Sequence, residues 1–480
     1  MVADQGHEIA MSLAQPKKLP LLVFTTAPLA GHLGPPLHLA REMISKGYEV
    51  AFMSSEDGKA AVEKIGAEWF ECSPFWPPGS QEARAKLPFG LERTFFDLEN
   101  IFLSAVPSRT ASLRALLETV REREPERQVV ILAETGGMAA QAFAYGAPLP
   151  KGYDRMPKVI GLGVIPLIVT SSDTAPFGPG LPPDSTESGR ARNRTLHEMM
   201  NMGPFAPLTN CFITRLKEAG CTAIPEPFSL FDAFSTSVDT MFQLCSPSMD
   251  YPRSDLALNI RYAGALPPRP VAPDYVFPSW WAEVKQHANL PDSTPGKKKI
   301  VVVAQGTVNE DHSELVIPTI EALADREDII LIPILGKRGA SLPESVTIPP
   351  NTRAIDYLPY DPLLAMSDLF VMNGAYGAFL HAGINGVPVI AAGLTEDKAE
   401  SSARAEYNGF GINLRTQHPT SEAISEAAKK ILADPMYKLR AKRVKQDNLD
   451  LDPFHMIAKQ IRLYSDHQQR GVQIVRVDHL

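Results

Sequence analysis

Two α/β domains, each a doubly wound parallel sheet, are predicted by a strand–helix–strand pattern that occurs twice in the 480 residues and by a proline-rich stretch between the two occurrences. The first occurrence opens with residues 19–27, LPLLVFTTA, a short apolar run punctuated by Pro20 and Pro28. Such a run suits a strand buried on both faces. The turn PLAGHLGPP follows; then Leu37, Ala40, Met43 and Ile44 recur at helical spacing and Gly47 ends the helix. YEVAFMSS is the next strand, paired in parallel with the first through the helical crossover. Apolar runs at 128–133, 158–165 and 238–244 extend the same sheet.

Nine prolines punctuate residues 246–299, a stretch that ends in Pro295-Gly296-Lys297-Lys298-Lys299. That composition reads as an interdomain connection. The pattern then restarts: KIVVVAQGTV is a strand, EDHSELVIPTIEALADRED a helix and IILIPIL a strand. DLFVMNG, a helix to Asn385 and VPVIAAG repeat it. The expected division is a flexible N-terminus over 1–18, a first domain over 19–250, a Pro-rich linker over 251–297, a second domain over 298–450, and a C-terminal helix and tail over 451–480 that pack back on the first domain.

Composition narrows the function classes. Apolar residues make up 44% and charged residues 21%, an ordinary globular balance that excludes disorder or a fibre as the main content. The net charge of -8 disfavours a nucleic-acid partner, which needs a basic face. The four cysteines form no C-x-x-C pair, so no zinc cluster or disulfide framework is indicated, and a reducing, cytoplasmic setting is expected. The first twenty residues hold no apolar signal core and no run reaches membrane-spanning length. Proline, at 43 of 480, is nearly twice its usual share of about 5%.

The candidate chemistry sits at strand ends, where open parallel sheets bind ligands. His32 lies in the turn after the first strand, a group able to take a proton from a hydroxyl near neutral pH. That turn is not G-x-G-x-x-G, and Pro35 removes an N–H that a phosphate would use, which weakens a dinucleotide reading. Glu134 closes the strand QVVILA; a carboxylate there can orient a histidine or simply cap a helix. In the second domain, Gly306-Thr307 and Asn373-Gly374-Ala375-Tyr376-Gly377-Ala378 place small residues and backbone N–H groups at strand ends that open onto helices, which suits a diphosphate. In the first domain, Phe75-Trp76-Pro77-Pro78 with Phe89, Leu91, Phe95, Phe96 and Phe102 offer an apolar wall or merely pack insertion helices.

Residues 373–413, NGAYGAFLHAGINGVPVIAAGLTEDKAESSARAEYNGFGIN, resemble the donor-binding signature of the UDP-glycosyltransferases (family 1, GT-B fold). The resemblance is to the bacterial and fungal branch that glycosylates sterols, phenols and polyketides, which has T-N-G-G-Y-G and T-E-D-K-P-E where plant enzymes have H-C-G-W-N-S and D-Q. AQGTV, DYLPYDPLLAMSDLFV, PLAGHLGPPLHLARE and SSDTAPFGPGLPP agree with it, so it runs from about 20 to 450.

The resemblance implies two Rossmann-like domains facing across a cleft, and a metal-independent, inverting transfer of a hexose, glucose foremost, from a UDP-sugar. The acceptor it implies is a hydroxyl or aromatic carbon of a small apolar or aromatic molecule. His32 matches the base, and Glu134 stands where the family usually has an Asp. Tyr357 matches the aromatic that stacks on uracil; ordinary core packing is the other reading. Gly306, Thr307, Asn373, Gly374, Ala375, Tyr376, Gly377 and Ala378 match the diphosphate cradle, His381 the ribose contact, and Asp397 and Lys398 the pair that grips the sugar hydroxyls. Asn373 replaces a histidine, His381 a glutamate, Ala378 a serine and Lys398 a glutamine. No cofactor or metal, no membrane segment and a monomer or weak dimer are expected. An epimerase or hydrolase acting on a nucleotide sugar, a non-catalytic binding subunit and a sterol acceptor are the rival readings.

Overall fold

The computed structural model describes residues 18–27, 29–72, 77–88, 90–306 and 311–470, and among these described residues twelve strands form two all-parallel sheets. The N-terminus expected to be flexible, Phe75, Trp76, Phe89 and Thr307 therefore lie outside the described residues. The first sheet has β1 (Leu21–Thr25), β2 (Val50–Ser54), β3 (Glu68–Glu71), β4 (Val129–Glu134), β5 (Lys158–Gly163), β6 (Thr240–Gln243) and β7 (Ile260–Tyr262) in the order β3-β2-β1-β4-β5-β6-β7. The second has β8 (Lys299–Ala304), β9 (Ile329–Ile334), β10 (Leu369–Met372), β11 (Val389–Ala391) and β12 (Gly411–Asn413) in the order β12-β11-β10-β8-β9.

The apolar runs become central strands because both of their faces are covered. Along β1, Leu22 and Phe24 enter one core layer while Leu21 and Val23 enter the other. Phe24 and Phe52 of the neighbouring strand stack with ring centroids 5.4 Å apart. In β8, Ile300 and Val302 face one layer and Val301 and Val303 the opposite one. Period-two side chains on a strand packed by helices on both sides give this division.

Two expectations about the domain boundaries need correction. Ile260–Tyr262, inside the stretch read as linker, pairs with β6 through Met241↔Ile260 and Gln243↔Tyr262. Farther on, the Trp281–Asn289 helix places Val284 in the second core. The connection proper therefore runs only from Tyr262 to Trp281. A three-residue edge strand among prolines carries no apolar run for sequence periodicity to detect. At the far end, the Pro453–Arg470 helix lies against the first domain, where Ile457, Ala458, Ile461 and Tyr464 join its core. The Tyr464 hydroxyl and Thr240 Oγ1 are 2.6 Å apart there.

Each sheet reverses its strand order once, between β1 and β4 and between β10 and β8. Loops leave such a point in opposite directions and open a crevice at the carboxyl ends of the strands. A buried ionic seam holds one domain to the other beside these crevices. Arg404, on the Lys398–Tyr407 helix, donates to Asp250 Oδ1 at 2.8 Å, to Glu400 Oε2 at 2.8 Å and to the Leu167 carbonyl at 3.1 Å. Glu400 in turn accepts the backbone N–H groups of Gly178 and Gly180 at 2.9 and 3.0 Å, from the proline-rich loop of the first domain. Arg253 and the Tyr262 hydroxyl complete the shell of Asp250. Burial works against the Asp250 carboxylate, yet the Arg253 and Arg404 guanidinium groups hold its pKa below the ordinary range.

Arg404→Met strands Asp250 and Glu400 with too little positive charge, and removing one partner of a buried pair costs about 3–5 kcal/mol. Urea unfolding followed by tryptophan fluorescence is expected to show an earlier loss of interdomain structure; an unchanged midpoint would contradict the seam's role.

Candidate active site

At the switch point of the first sheet, β1 leads into the Ala30–Ser45 helix and β4 ends in Glu134. That helix begins before His32 and carries Pro35 and Pro36 within it, so His32 stands in a first helical turn, where a separate turn was expected. The Glu134 side chain is fully buried, and each oxygen is claimed. Oε1 lies 2.7 Å from His32 Nδ1 and accepts the Gly136 N–H at 2.6 Å, while Oε2 accepts the Ala27 N–H at 2.9 Å. The longer arm of glutamate therefore closes the pair with His32.

A carboxylate only accepts, so Nδ1 carries the proton in this pair and Nε2 is the basic nitrogen of the neutral ring. Burial disfavours the charged imidazole, but the Glu134 carboxylate, and more weakly Asp397, raise its pKa above the ordinary 6.5; Arg109 opposes them. Asp397 precedes the Lys398–Tyr407 helix of the second domain and acts on the same ring across the cleft. Burial pushes the Asp397 carboxyl up to about 6, with His32 working against it. The Phe102 ring packs at 5.5 Å from the His32 ring. A Cβ on Gly136 would meet Phe102 at 2.7 Å and His32 Nδ1 at 3.0 Å, so this close approach requires glycine.

The second switch point brings the other candidates together. Asn373 Nδ2 donates to the Gln305 carbonyl at 2.5 Å and its Oδ1 accepts the Ala375 N–H at 3.2 Å, so the side chain joins the loops after β8 and β10. Both ends of the Asn373 amide are thus engaged with backbone of these loops. Gly374 has φ +81°, and a Cβ there would lie 2.5 Å from Ser402 Oγ, so only glycine lets this turn approach the Lys398–Tyr407 helix. The Tyr376–Asn385 helix starts after Ala375 with no side-chain cap, and Gly377 is exposed with open space in front of its Cα. Its first N–H groups have no intrahelical acceptor and form a positive helix end. Ala378 is buried at the helix base, and Gly306, at φ +83°, faces Asn373.

The Tyr376 side chain is turned away from this opening. Its hydroxyl accepts Gln243 Nε2 of the first domain at 2.9 Å within a buried contact, so only its backbone belongs to the cradle. Tyr357 is 37% exposed, which rules out plain core packing, and the Arg338 guanidinium lies 4.7 Å from its ring centre. His381 Nδ1 pairs with Asp361 Oδ1 at 2.7 Å, and Asn385 donates to the same oxygen at 2.8 Å. Lys398 Nζ donates to Thr395 Oγ1 at 2.7 Å and pairs closely with Glu396, and burial lowers its pKa to about 8. Glu396, strained at φ +51°, also stands 3.7 Å from Arg84 of the first domain.

Sequence reading missed Arg109, Asp361, Gln243 and the Arg404 seam. Arg109 alone left a trace: it shares a helical stripe with Val106, Leu113, Leu116 and Val120, all buried. A charge on such a stripe must find buried partners.

The raised His32 pKa means that the pair stabilises the folded state fully below the ordinary histidine value and loses that contribution as pH rises through the folded one. Histidine NMR is expected to place the His32 midpoint above about 6.5, and lower in Glu134→Gln, where the amide cannot stabilise the cation. A midpoint unmoved by that substitution would contradict the pairing.

Several curated relatives and solved structures similar to this chain are named as glycosyltransferases. The family profile described as "Erythromycin biosynthesis protein CIII-like, C-terminal domain" matches residues 319–462. UDP-glucosyltransferase 1 of Beauveria bassiana (strain ARSEF 2860) is 36% identical over 445 residues, covering 92% of this chain and 94% of its own. UDP-glucosyltransferase B1 of Starmerella bombicola is 34% identical over 444 residues, covering 89% and 94%. The solved glycotransferase of kitacinnamycin superposes with a TM-score of 0.67 at 18% identity, covering 93% of this chain and 99% of that one, a likeness of fold. Identity at the level of the two fungal relatives, held over about nine-tenths of each chain, makes this protein a member of the UDP-glycosyltransferases, enzymes of the GT-B fold that transfer a sugar from a UDP-sugar donor.

Proposed function

We propose that the protein transfers a hexose, glucose foremost, from its UDP-sugar to a hydroxyl or electron-rich aromatic carbon of a small aromatic or polyketide molecule, with inversion and without a metal. The observation that carries this reading is His32, held through Nδ1 by Glu134 at 2.7 Å, with Asp397 of the donor domain acting on the same ring. In O-transfer His32 Nε2 takes the acceptor proton as the acceptor oxygen bonds to the anomeric carbon. The anomeric C–O bond to diphosphate breaks, and its electron pair leaves on UDP. Attack from the face opposite the leaving group inverts the anomeric centre.

The leaving diphosphate meets the first N–H groups of the Tyr376–Asn385 helix, with Gly377 giving it access. Tyr357 and His381 would take the uracil and ribose, and Gly306, Asn373, Gly374 and Ala375 would shape the cradle through backbone and loop geometry. Asp397 and Lys398 sit at the sugar end, and Lys398 must leave Glu396 to contact the sugar directly. Phe95 and Phe102, packed with Phe205 and Phe231 in the insertion beside His32, support an apolar acceptor. Relatives named UDP-glucosyltransferase support glucose, and 4'-demethylrebeccamycin synthase of Lentzea aerocolonigenes, 28% identical over 431 residues, supports a natural-product acceptor. The reading includes a monomer or weak dimer in a cytoplasmic setting, and the four free thiols accord with that setting.

Incubation with UDP-glucose and a panel of phenols, polyketides and one sterol is expected to yield phenol or polyketide products heavier by one hexosyl residue, with stoichiometric UDP. EDTA is expected to leave the rate unchanged. Free glucose or an isomerised nucleotide sugar without any adduct would overturn the reading in favour of a hydrolase or epimerase.

A further inference from the structure

Arg109 is the largest fully buried side chain, and among the described residues it has no carboxylate in ion-pair contact. Its Nη1 donates to the Gly136 carbonyl at 3.2 Å and its Nη2 to the Ile101 carbonyl at 2.9 Å; its Nε has no partner. A buried guanidinium held only by two carbonyls keeps a charge that packing alone does not require, since an apolar side chain of similar volume avoids that desolvation cost.

Its two acceptors belong to different parts of the site. Gly136 is the residue whose N–H holds Glu134 Oε1 and whose missing Cβ lets Phe102 and His32 approach. Ile101 lies in Leu98–Leu103, a short π-helical segment that also carries Phe102. Such wide turns expose a carbonyl that a regular helix would use, and they recur at functional sites. The guanidinium thus ties the turn behind the base to the segment that presents the ring facing it. Its charge also acts on the Glu134 carboxylate, the counter-ion of His32.

We propose that Arg109 is a positioning residue that holds the Phe102-bearing wall against the Glu134–His32 pair and places a buried positive charge behind that pair. This rests on His32 acting as the base in the proposed sugar transfer. The charged and titratable groups acting on the His32 ring are Glu134 at the end of β4, Asp397 at the start of the Lys398–Tyr407 helix, and Arg109 itself. Cys72, just after β3, also acts on Arg109. Removing the cation leaves two carboxylates around the ring with less opposing charge, so the pair binds its proton more tightly.

Two variants of the full chain separate the two roles. Arg109→Met removes the charge and both bonds; Arg109→Lys keeps the charge but cannot span both carbonyls. Histidine NMR, with the His32 signal assigned from its loss in His32→Asn, reads the base without any substrate. It is expected to show the His32 midpoint raised by about half a pH unit or more in Arg109→Met and unchanged in Arg109→Lys. With a phenolic acceptor, the acid limb of kcat/KM is expected to follow the same order, and both variants are expected to raise acceptor KM several-fold. A wild-type midpoint in Arg109→Met overturns the electrostatic role; a wild-type acceptor KM in Arg109→Lys overturns the wall-positioning role. If Arg109→Met does not fold, a raised His32 midpoint in Arg109→Lys overturns the assignment of the effect to charge. Absence of sugar transfer by the wild-type enzyme would defeat the functional reading while leaving the NMR comparison intact.

Discussion

A carboxylate with no access to water must have its lone pairs claimed or it takes a proton, and Glu134 is in that position. Three donors meet it: Ala27 N–H after β1, Gly136 N–H after β4 and His32 in the first turn of the helix that follows β1. Those three bonds fix the backbone on both sides of the switch point at once. They also fix which imidazole nitrogen is free to accept a proton. The base is thus a product of the sheet order: β1 and β4 are neighbours although the chain places about a hundred residues between them, and a different strand order would leave His32 without its acid.

The second half of the site depends on how the donor domain is held. Asp397 and Lys398 begin a helix whose next turns carry Glu400 and Arg404, both locked to the first domain through Asp250, Leu167, Gly178 and Gly180. Gln243 and Tyr376 make a second cross-domain bond at the start of the Tyr376–Asn385 helix. Asp397 and Lys398 therefore take their position relative to His32 from buried polar contacts. The proline-rich loop at 171–183 acquires a physical role here: its stiff backbone presents two N–H groups to Glu400 at a defined spacing.

Central strands were legible in the sequence because a parallel strand buried on both faces must be apolar throughout. The edge strands β3 and β7 were not, since three or four partly exposed residues carry no such run. Glu134 could be seen as an acid at a strand end, but its bond to His32 depends on which strands become neighbours. The motif around Asn373 and Tyr376 marked a loop at a strand end without saying which atoms face the opening, and both side chains turn inward to join loops or domains. Arg109 lay on an apolar helical stripe, where a charge is informative only once its partners are known. Tyr357 shows the opposite case: its exposure and its contact with Arg338 removed the core-packing alternative that the sequence had left open.

The central claim, that His32 removes the acceptor proton, is tested most directly by rates of His32→Ala and wild type across phenols of graded acidity. His32→Ala is expected to lose about 10²–10⁴-fold on the least acidic phenols and progressively less as the phenol ionises unaided. A loss of the same size at every acidity, or no loss at all, would contradict it.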